Sequence, residues 1–420
     1  MLDITTLPAP TPEPRILDVP APDHVPRHLI RDLRYHMGWV PNTELEPFEA
    51  TERLFADDVP PVMWSPMPFD NFLDGLWIVT RHEDVAKVYQ DSSTFSSVGQ
   101  AQFQLLVGET FPSLPLGVDP PLHGRYRRFL NPWFTPKAVA EMLPDIRRLA
   151  NEMIDEFLAA GGGDFARDYA RIFPVRVFLK LMGLPVSMLE QFLLWEHEIL
   201  HSRDQARIAE ACGATLGYLR SFIAEKEAAP DDTLTSLIVN GEIDGEAFTQ
   251  DERIGIIFFL WLGGLDTVAS SLGLMFRRMA LDHALQQRLR DEPDLIRPVT
   301  EEFLRTQPLV NTTRLLTRDC ELHGVLMKEG DRVMCLNMTA NFDPEAFGCP
   351  RHFDPERKAN RHTTFGTGAH LCLGMNLARQ ELWISLEQWL SRVPTFSIAD
   401  GAPRDVVPGL LSVKTLPLAW

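Results

Sequence analysis

A cysteine at the end of a glycine-rich loop is the most reactive feature of this sequence. The stretch reads Phe365-Gly366-Thr367-Gly368-Ala369-His370-Leu371-Cys372-Leu373-Gly374, and a helical pattern follows it to about Arg392. A helix start carries partial positive charge and unused backbone N–H donors, and both favour thiolate over thiol. The glycines let the backbone take positive φ or approach a flat ligand closely. On spacing alone, a metal-bound sulfur and a buried structural cysteine beside a turn both remain open. A second stretch, Gly263-Gly264-Leu265-Asp266-Thr267, lies inside a long apolar segment. Two glycines weaken a helix interior, and a threonine hydroxyl that bonds backward can bend it. An acid and a hydroxyl beside such an opening can relay protons to a small ligand; a packing kink with a capped polar pair is the alternative. A third stretch, Glu302-Phe303-Leu304-Arg305, puts opposite charges on one helical face. Two further pairs, Cys320/His323 and Cys349/His352, have zinc-like internal spacing, but the gap between them is loose for one Cys2His2 site.

Helices must do most of the positioning. A helix is expected at about Glu83–Gln90, and from about Lys137 to Arg305 the pattern is mainly helical, with segments at 138–160, 186–204, 206–227, 249–281 and 283–291. The 249–281 segment opens with a capping box, Thr249 and Glu252. As one continuous helix it would run roughly 50 Å, enough to cross a domain. Short strands are expected at Leu76–Thr80, through 312–340 with turns at His323-Gly324 and Glu329-Gly330, and near the C-terminus. The loop 100–120 carries Phe103, Leu105, Leu106, Phe111 and Leu114, a composition suited to folding over something apolar. Helices come first and strands late, with no strand–helix alternation. That order predicts a mainly α fold with small β-sheets (α+β), not a doubly wound sheet. Residues 1–45 read as an irregular N-terminal segment and 46–420 as a single domain.

Composition narrows the partners. The chain has 420 residues, 45% of them hydrophobic, so a large core is available. Lys and Arg number 40 against 58 Asp and Glu, a net charge of −18, which argues against nucleic acid or an anionic membrane as partner. Five widely spaced cysteines do not form a disulfide framework and point to a reducing compartment. The proline- and acid-rich N-terminus has no apolar run of the signal-peptide kind. Ile254–Phe276 is apolar enough to span a bilayer, but Asp266 in its middle favours a buried central helix. No Gly-x-Gly-x-x-Gly, Walker loop or Gly-x-Ser-x-Gly elbow appears.

Taken together, the motifs resemble those of the cytochrome P-450 family of haem-thiolate monooxygenases. The family signature around the cysteine is met by Phe365, Gly368, Cys372 and Gly374, and the other matching segments fall in family order from about Glu49 to Trp420. The resemblance is to the bacterial camphor-hydroxylase-like subgroup, through Gly263–Thr267, Thr363-Thr364-Phe365-Gly366 and the Leu416–Trp420 ending. It implies the cytochrome P-450 fold, with the long central helix crossing over a buried haem b. Cys372 would be the axial iron ligand, with Phe365 beside it. Asp266 and Thr267 would deliver protons during oxygen activation, with Arg203 as a gating ion-pair partner of Asp266. His123 and Arg127, in Asp119-Pro120-Pro121-Leu122-His123, would bind the haem propionates together with Arg314 and His370. Glu302 and Arg305 would be structural, with His352 as third partner.

For the substrate, the resemblance implies a pocket of Phe111, Phe259, Leu262, Gly263, Val310, Thr312, Leu410 and Leu411. Camphor hydroxylases place a tyrosine where this chain has Phe111, so the hydroxyl that anchors a ketone is missing. The expected substrate is a small apolar terpenoid, of cineole, camphor or norisoprenoid type, with Thr312 as a polar handle. Electrons would come from a [2Fe-2S] ferredoxin with its reductase and NAD(P)H, docking on Arg125, Arg128, Lys358 and Arg361. The implied setting is a soluble, cytoplasmic bacterial enzyme using O2. A peroxide-driven haem peroxygenase and a non-catalytic haem sensor or carrier are the alternatives; the Asp266–Thr267 pair argues against both.

Overall fold

The computed structural model describes residues 11–36, 49–66, 75–202, 204–402, 406–407 and 412–420. In chain order its helices are α1 (His82–Gln90), α2 (Leu122–Leu130), α3 (Pro136–Ala159), α4 (Phe173–Met182), α5 (Leu189–His201), α6 (Gln205–Ala228), α7 (Leu234–Asn240), α8 (Gln250–Leu265), α9 (Thr267–Leu281), α10 (His283–Asp291), α11 (Ile296–Thr306), α12 (Asn337–Ala340) and α13 (Met375–Arg392). The expected mainly helical chain with small sheets is what forms. Chain contacts divide it into two compact units, each drawn from separated stretches: 1–100, 301–372 and 405–411 in one, and 101–300, 373–404 and 412–420 in the other.

In the strand-rich unit, five strands lie in the order Val62–Ser65, Leu76–Val79, Arg332–Cys335, Thr312–Leu316, Phe95–Ser96. Only the Leu76–Val79 and Arg332–Cys335 pair is parallel, with Met334 opposite Ile78. Alternation along these strands splits their side chains between two cores. Val62, Trp64, Trp77, Val79, Val333 and Cys335 pack into one cluster. Met63, Leu76, Ile78 and Met334 pack into another. Residues 11–36 have little regular structure, yet Leu17, Val25, Leu29 and Ile30 are buried in the first of these clusters.

The helical unit is organised around α8 and α9. Thr249 caps α8 as its sequence predicts, its hydroxyl accepting from the Glu252 N–H at 3.2 Å while the Glu252 carboxylate accepts from the Thr249 N–H at 2.8 Å. Residues 250–281 are long and apolar enough to cross a membrane. Here Ile256, Ile257, Phe258, Trp261, Leu272 and Phe276 are instead buried within protein. The expected single helix is interrupted, because Asp266 both ends α8 and starts α9. Behind α9, Phe276 stacks on Phe165 at 4.0 Å, and Trp389 of α13 meets both edge-on.

Candidate active site

The cysteine loop is closed by its own backbone. The Cys372 N–H donates to the Phe365 carbonyl at 2.9 Å and the Gly366 N–H to Thr363 at 2.8 Å. Gly366 and Gly368 have φ of +69° and +73°. At Gly368 a Cβ would stand 2.8 Å from the Tyr89 carbonyl, so the loop lies directly on the end of α1 and tolerates no side chain there. Cys372 is exposed, three residues before α13 begins. Cys212 and Cys335 are different: burial pushes both thiols up to about 12, which keeps them neutral.

Glu302 and Arg305 form an ion pair with no solvent exposure, at 2.7 and 2.8 Å. The third side chain at this node is Arg357, whose Nε lies 3.2 Å from both Glu302 oxygens. The sequence reading places His352 there. In the structure His352 is exposed and meets this node through its carbonyl, which accepts from Arg357 at 2.9 Å. Arg357 succeeds because its long fork spans from Glu302 to the carbonyls of Gly348 and His352 together. From Arg305 the network continues to the Asn341 carbonyl at 2.8 Å. Asn341 in turn bonds Thr364 at 2.9 Å and the Thr363 N–H at 2.8 Å. The node therefore ends on the residues that lead into the cysteine loop.

At the α8–α9 break, Asp266 accepts from the Ser270 hydroxyl at 3.2 Å, and Thr267 offers its carbonyl to the Ser271 hydroxyl at 2.9 Å. Arg203, the expected partner of Asp266, lies outside the described residues. The side chain that the structure places beside Asp266 is His201, at 3.5 Å. Glu196, five residues earlier on α5, lies 4.0 Å from His201. Burial, and then the charge of Asp266, push the Glu196 carboxyl well above its ordinary range. The adjacent glycines have opposite surroundings. A Cβ on Gly264 would strike the Phe178 ring at 2.4 Å, whereas one on Gly263 would meet no atom within 4 Å. Gly264 is thus a packing glycine and Gly263 opens one face of a buried helix.

Phe259, one turn before Gly263, and Leu262 are buried apolar residues of α8. Phe111 is buried edge-on against Phe258 at 6.1 Å. Val310 and Thr312 are half-buried, and Leu410 and Leu411 lie outside the described residues. The Thr312 hydroxyl is engaged with Tyr89 Oη at 3.0 Å, which limits it as a handle for anything else. His123 is buried, and burial together with the Arg127 charge pulls its pKa down to about 4. Arg127 bonds the Asn131 side chain at 2.9 Å. Arg125 is held among Asp244, Glu246 and Glu252, and Arg128 shares Asp244. Lys358 and Arg361 are exposed, and Phe365 and His370 are half-buried in the loop. Sequence reasoning missed Arg357, His201 and Glu196, because nothing along the chain links them to their partners.

The comparisons with known proteins agree on the family. The cytochrome P-450 family profile matches residues 179–417. The probable cytochrome P-450 127A1 of Sinorhizobium fredii is 35% identical over 97% of this chain and 98% of its own length. This chain belongs to the cytochrome P-450 family. A steroid C26-monooxygenase of Mycolicibacterium smegmatis is 30% identical, over 80% of this chain and 84% of its own. Among solved structures, the crystal structure of CYP101J2 superposes with a TM-score of 0.82 at 30% identity, covering 96% of this chain and 99% of that one.

This cytochrome P-450 is therefore a monooxygenase whose cofactor is haem b, served by O2 and a redox partner. Its residues fit that cofactor. Cys372 is exposed at the end of a loop whose Gly366 and Gly368 take positive φ. Arg314 is 97% buried, yet its bonds go to neutral oxygens, at 2.8 Å to the Thr313 carbonyl, and its guanidinium lies 5.2 Å from the Tyr89 ring. Among the described residues it has no carboxylate at ion-pair distance, and a buried cation calls for one. A haem propionate is such a group.

Proposed function

We propose that this cytochrome P-450 hydroxylates a compact apolar alicyclic compound, a monoterpenoid or norisoprenoid, with electrons from a [2Fe-2S] ferredoxin and its NAD(P)H-linked reductase. The observation that carries the substrate class is the α8 face where Gly263 stands open beside buried Phe259 and Leu262. Such a face offers shape and hydrophobic burial in place of polar anchoring. Phe111 adds no hydroxyl, and Thr312 already bonds Tyr89.

In this reading the haem, once bound, supplies oxygen activation, and the chain's residues do the rest. Cys372 would hold the iron as thiolate, on a loop closed by the Cys372 N–H donating to the Phe365 carbonyl. Arg314, His123, Arg127 and His370 hold the propionates; His123 enters neutral at pH 7 and donates one N–H. Asp266 relays protons from solvent and Thr267 passes them on from its hydroxyl. Glu302, Arg305 and Arg357 fix the loop. Ferredoxin docks through Arg128, Lys358 and Arg361, with Arg125 holding the local acids in place. The enzyme works in the bacterial cytoplasm, soluble and without a membrane partner.

The names of relatives motivate a second substrate reading. They include steroid C26-monooxygenases and the vitamin D3 dihydroxylase of Streptomyces griseolus, the latter 33% identical. Titrating the ferric enzyme with terpenoids and with steroids while following the Soret band decides between them. A blue shift with cineole- or ionone-type ligands is expected; a shift with steroids alone would replace the proposed class. Turnover under labelled dioxygen with ferredoxin, reductase and NADH should put label in the product. Product formed only with added peroxide would mean a peroxygenase.

A further inference from the structure

The structure gathers one group of three metal-ligating side chains among its described residues, and they are not the Cys-x-x-His pairs of the sequence. They are Glu196 and His201 of α5 and Asp266 at the α8–α9 break. One ligand atom from each lies within 4.8 Å of the other two. The His201 Nε2 is 3.5 Å from Asp266 Oδ1 and 4.0 Å from Glu196 Oε1, so these contacts are too long for direct hydrogen bonds. Glu196 is buried, with 5% of its side chain exposed, and His201 and Asp266 are partly buried, at 10% and 13%. Among the described residues, the Glu196 Oε1 and Asp266 Oδ2 oxygens are buried with no hydrogen-bond partner. Two carboxyl groups held this close and out of water cannot both be ionised cheaply: either Glu196 keeps its proton or a cation sits between them.

We propose that Glu196, His201 and Asp266 form a binding site for a zinc-class divalent ion, separate from the haem iron. Zinc takes imidazole nitrogen at 2.0–2.1 Å and carboxylate oxygen at 2.0–2.2 Å, so the edges of its tetrahedron measure about 3.4 Å. The His201–Asp266 separation already has that length, the His201–Glu196 separation exceeds it by about 0.6 Å, and Glu196 and Asp266 lie within 4.8 Å of each other, so a modest closure of Glu196 completes the triangle. Three protein ligands leave the fourth position to water. One nitrogen and two carboxylates suit zinc better than calcium, which takes six to eight oxygens. His197 stacks on His201 at 5.0 Å and steadies its ring. The ion ties the end of α5 to the break between α8 and α9. It also occupies the carboxylate of Asp266, and that consequence rests on the proton-delivery role proposed above.

The test uses tag-free, haem-loaded enzyme, stripped with a chelator and titrated with zinc chloride by calorimetry, with bound metal counted by elemental analysis. One zinc per chain is expected. Glu196→Gln and His201→Ala should weaken it by at least 10–100-fold, the loss found when even an outer partner of a metal ligand is removed. An unchanged carbon monoxide spectrum in both variants shows that they are folded and loaded. Absence of stoichiometric zinc, or equal affinity in wild type and both variants, overturns the site. Turnover measured alongside separates the two readings. If zinc slows wild type and spares His201→Ala, the site and the role of Asp266 both stand. If zinc binds and is lost in the variants while turnover is unaffected, the site stands and the role of Asp266 falls.

Discussion

Single side chains show how burial decides chemistry in this molecule. Cys212 and Cys335 are held neutral by desolvation, whereas Cys372 stands exposed at the end of its loop. Cys372→Ala should therefore abolish the far-red-displaced Soret band of the reduced carbon monoxide complex. The corresponding alanine variants at Cys212 and Cys335 should keep it. Glu302 answers two guanidinium groups, Arg305 and Arg357, with no water to help. Glu302→Gln leaves both cations under-compensated, and losing one partner of a buried pair costs about 3–5 kcal/mol. The denaturation midpoint and the haem content of that variant should fall together, because the node ends on Thr363 and Thr364 beside the loop. A midpoint near wild type would show that the node does not hold the loop.

At the scale of elements, the two neighbouring glycines of α8 should behave oppositely. Gly264→Ala puts a methyl against the Phe178 ring at 2.4 Å, and overpacking of this kind costs about 1–3 kcal/mol. Gly263→Ala meets no atom within 4 Å and gains up to about 1 kcal/mol of helix propensity. It should melt no lower than wild type, yet alter the ligand-induced Soret shift, because its methyl stands on the open face. Thermal melts of the two variants, with substrate titrations, check both halves. The α8–α9 break itself was only half legible in the chain. Gly263, Gly264 and Thr267 signal a weakened helix, but neither the interruption at Asp266 nor the placing of His201 of α5 beside it is written in those residues.

At the scale of the whole molecule, pH and charge give two global readouts. Glu381 of α13 is fully buried, and desolvation raises its carboxyl well above the ordinary value. The folded state then binds this proton more tightly than the unfolded one. That contribution is complete below the ordinary glutamate pKa and fades as pH rises above it, until the folded group itself ionises. Glu381→Gln removes the dependence, so its melting temperature should match wild type near pH 4.5 and exceed it increasingly toward pH 8. A constant difference across that range would contradict the assignment. The net charge of −18 makes exposed cations conspicuous. Lys358→Glu with Arg361→Glu should slow reduction by ferredoxin and flatten its salt dependence, while substrate affinity stays unchanged.

The sequence by itself determined the chemistry and the class of fold. Cys372 in its glycine frame, the Asp266–Thr267 pair and Glu302–Arg305 are local patterns, and local patterns are written in adjacent residues. The capping box at Thr249 and the strand alternation between residues 312 and 335 were legible for the same reason: propensity and periodicity act over a few residues. Only the tertiary structure decided which distant groups meet. It set Arg357 rather than His352 on Glu302, 55 residues away along the chain. It brought Glu196 and His201 to Asp266, and it told Gly264 from Gly263 by placing Phe178 against one of them. Such choices follow from packing and from the need to satisfy buried charge, and neither is visible until the chain has closed on itself.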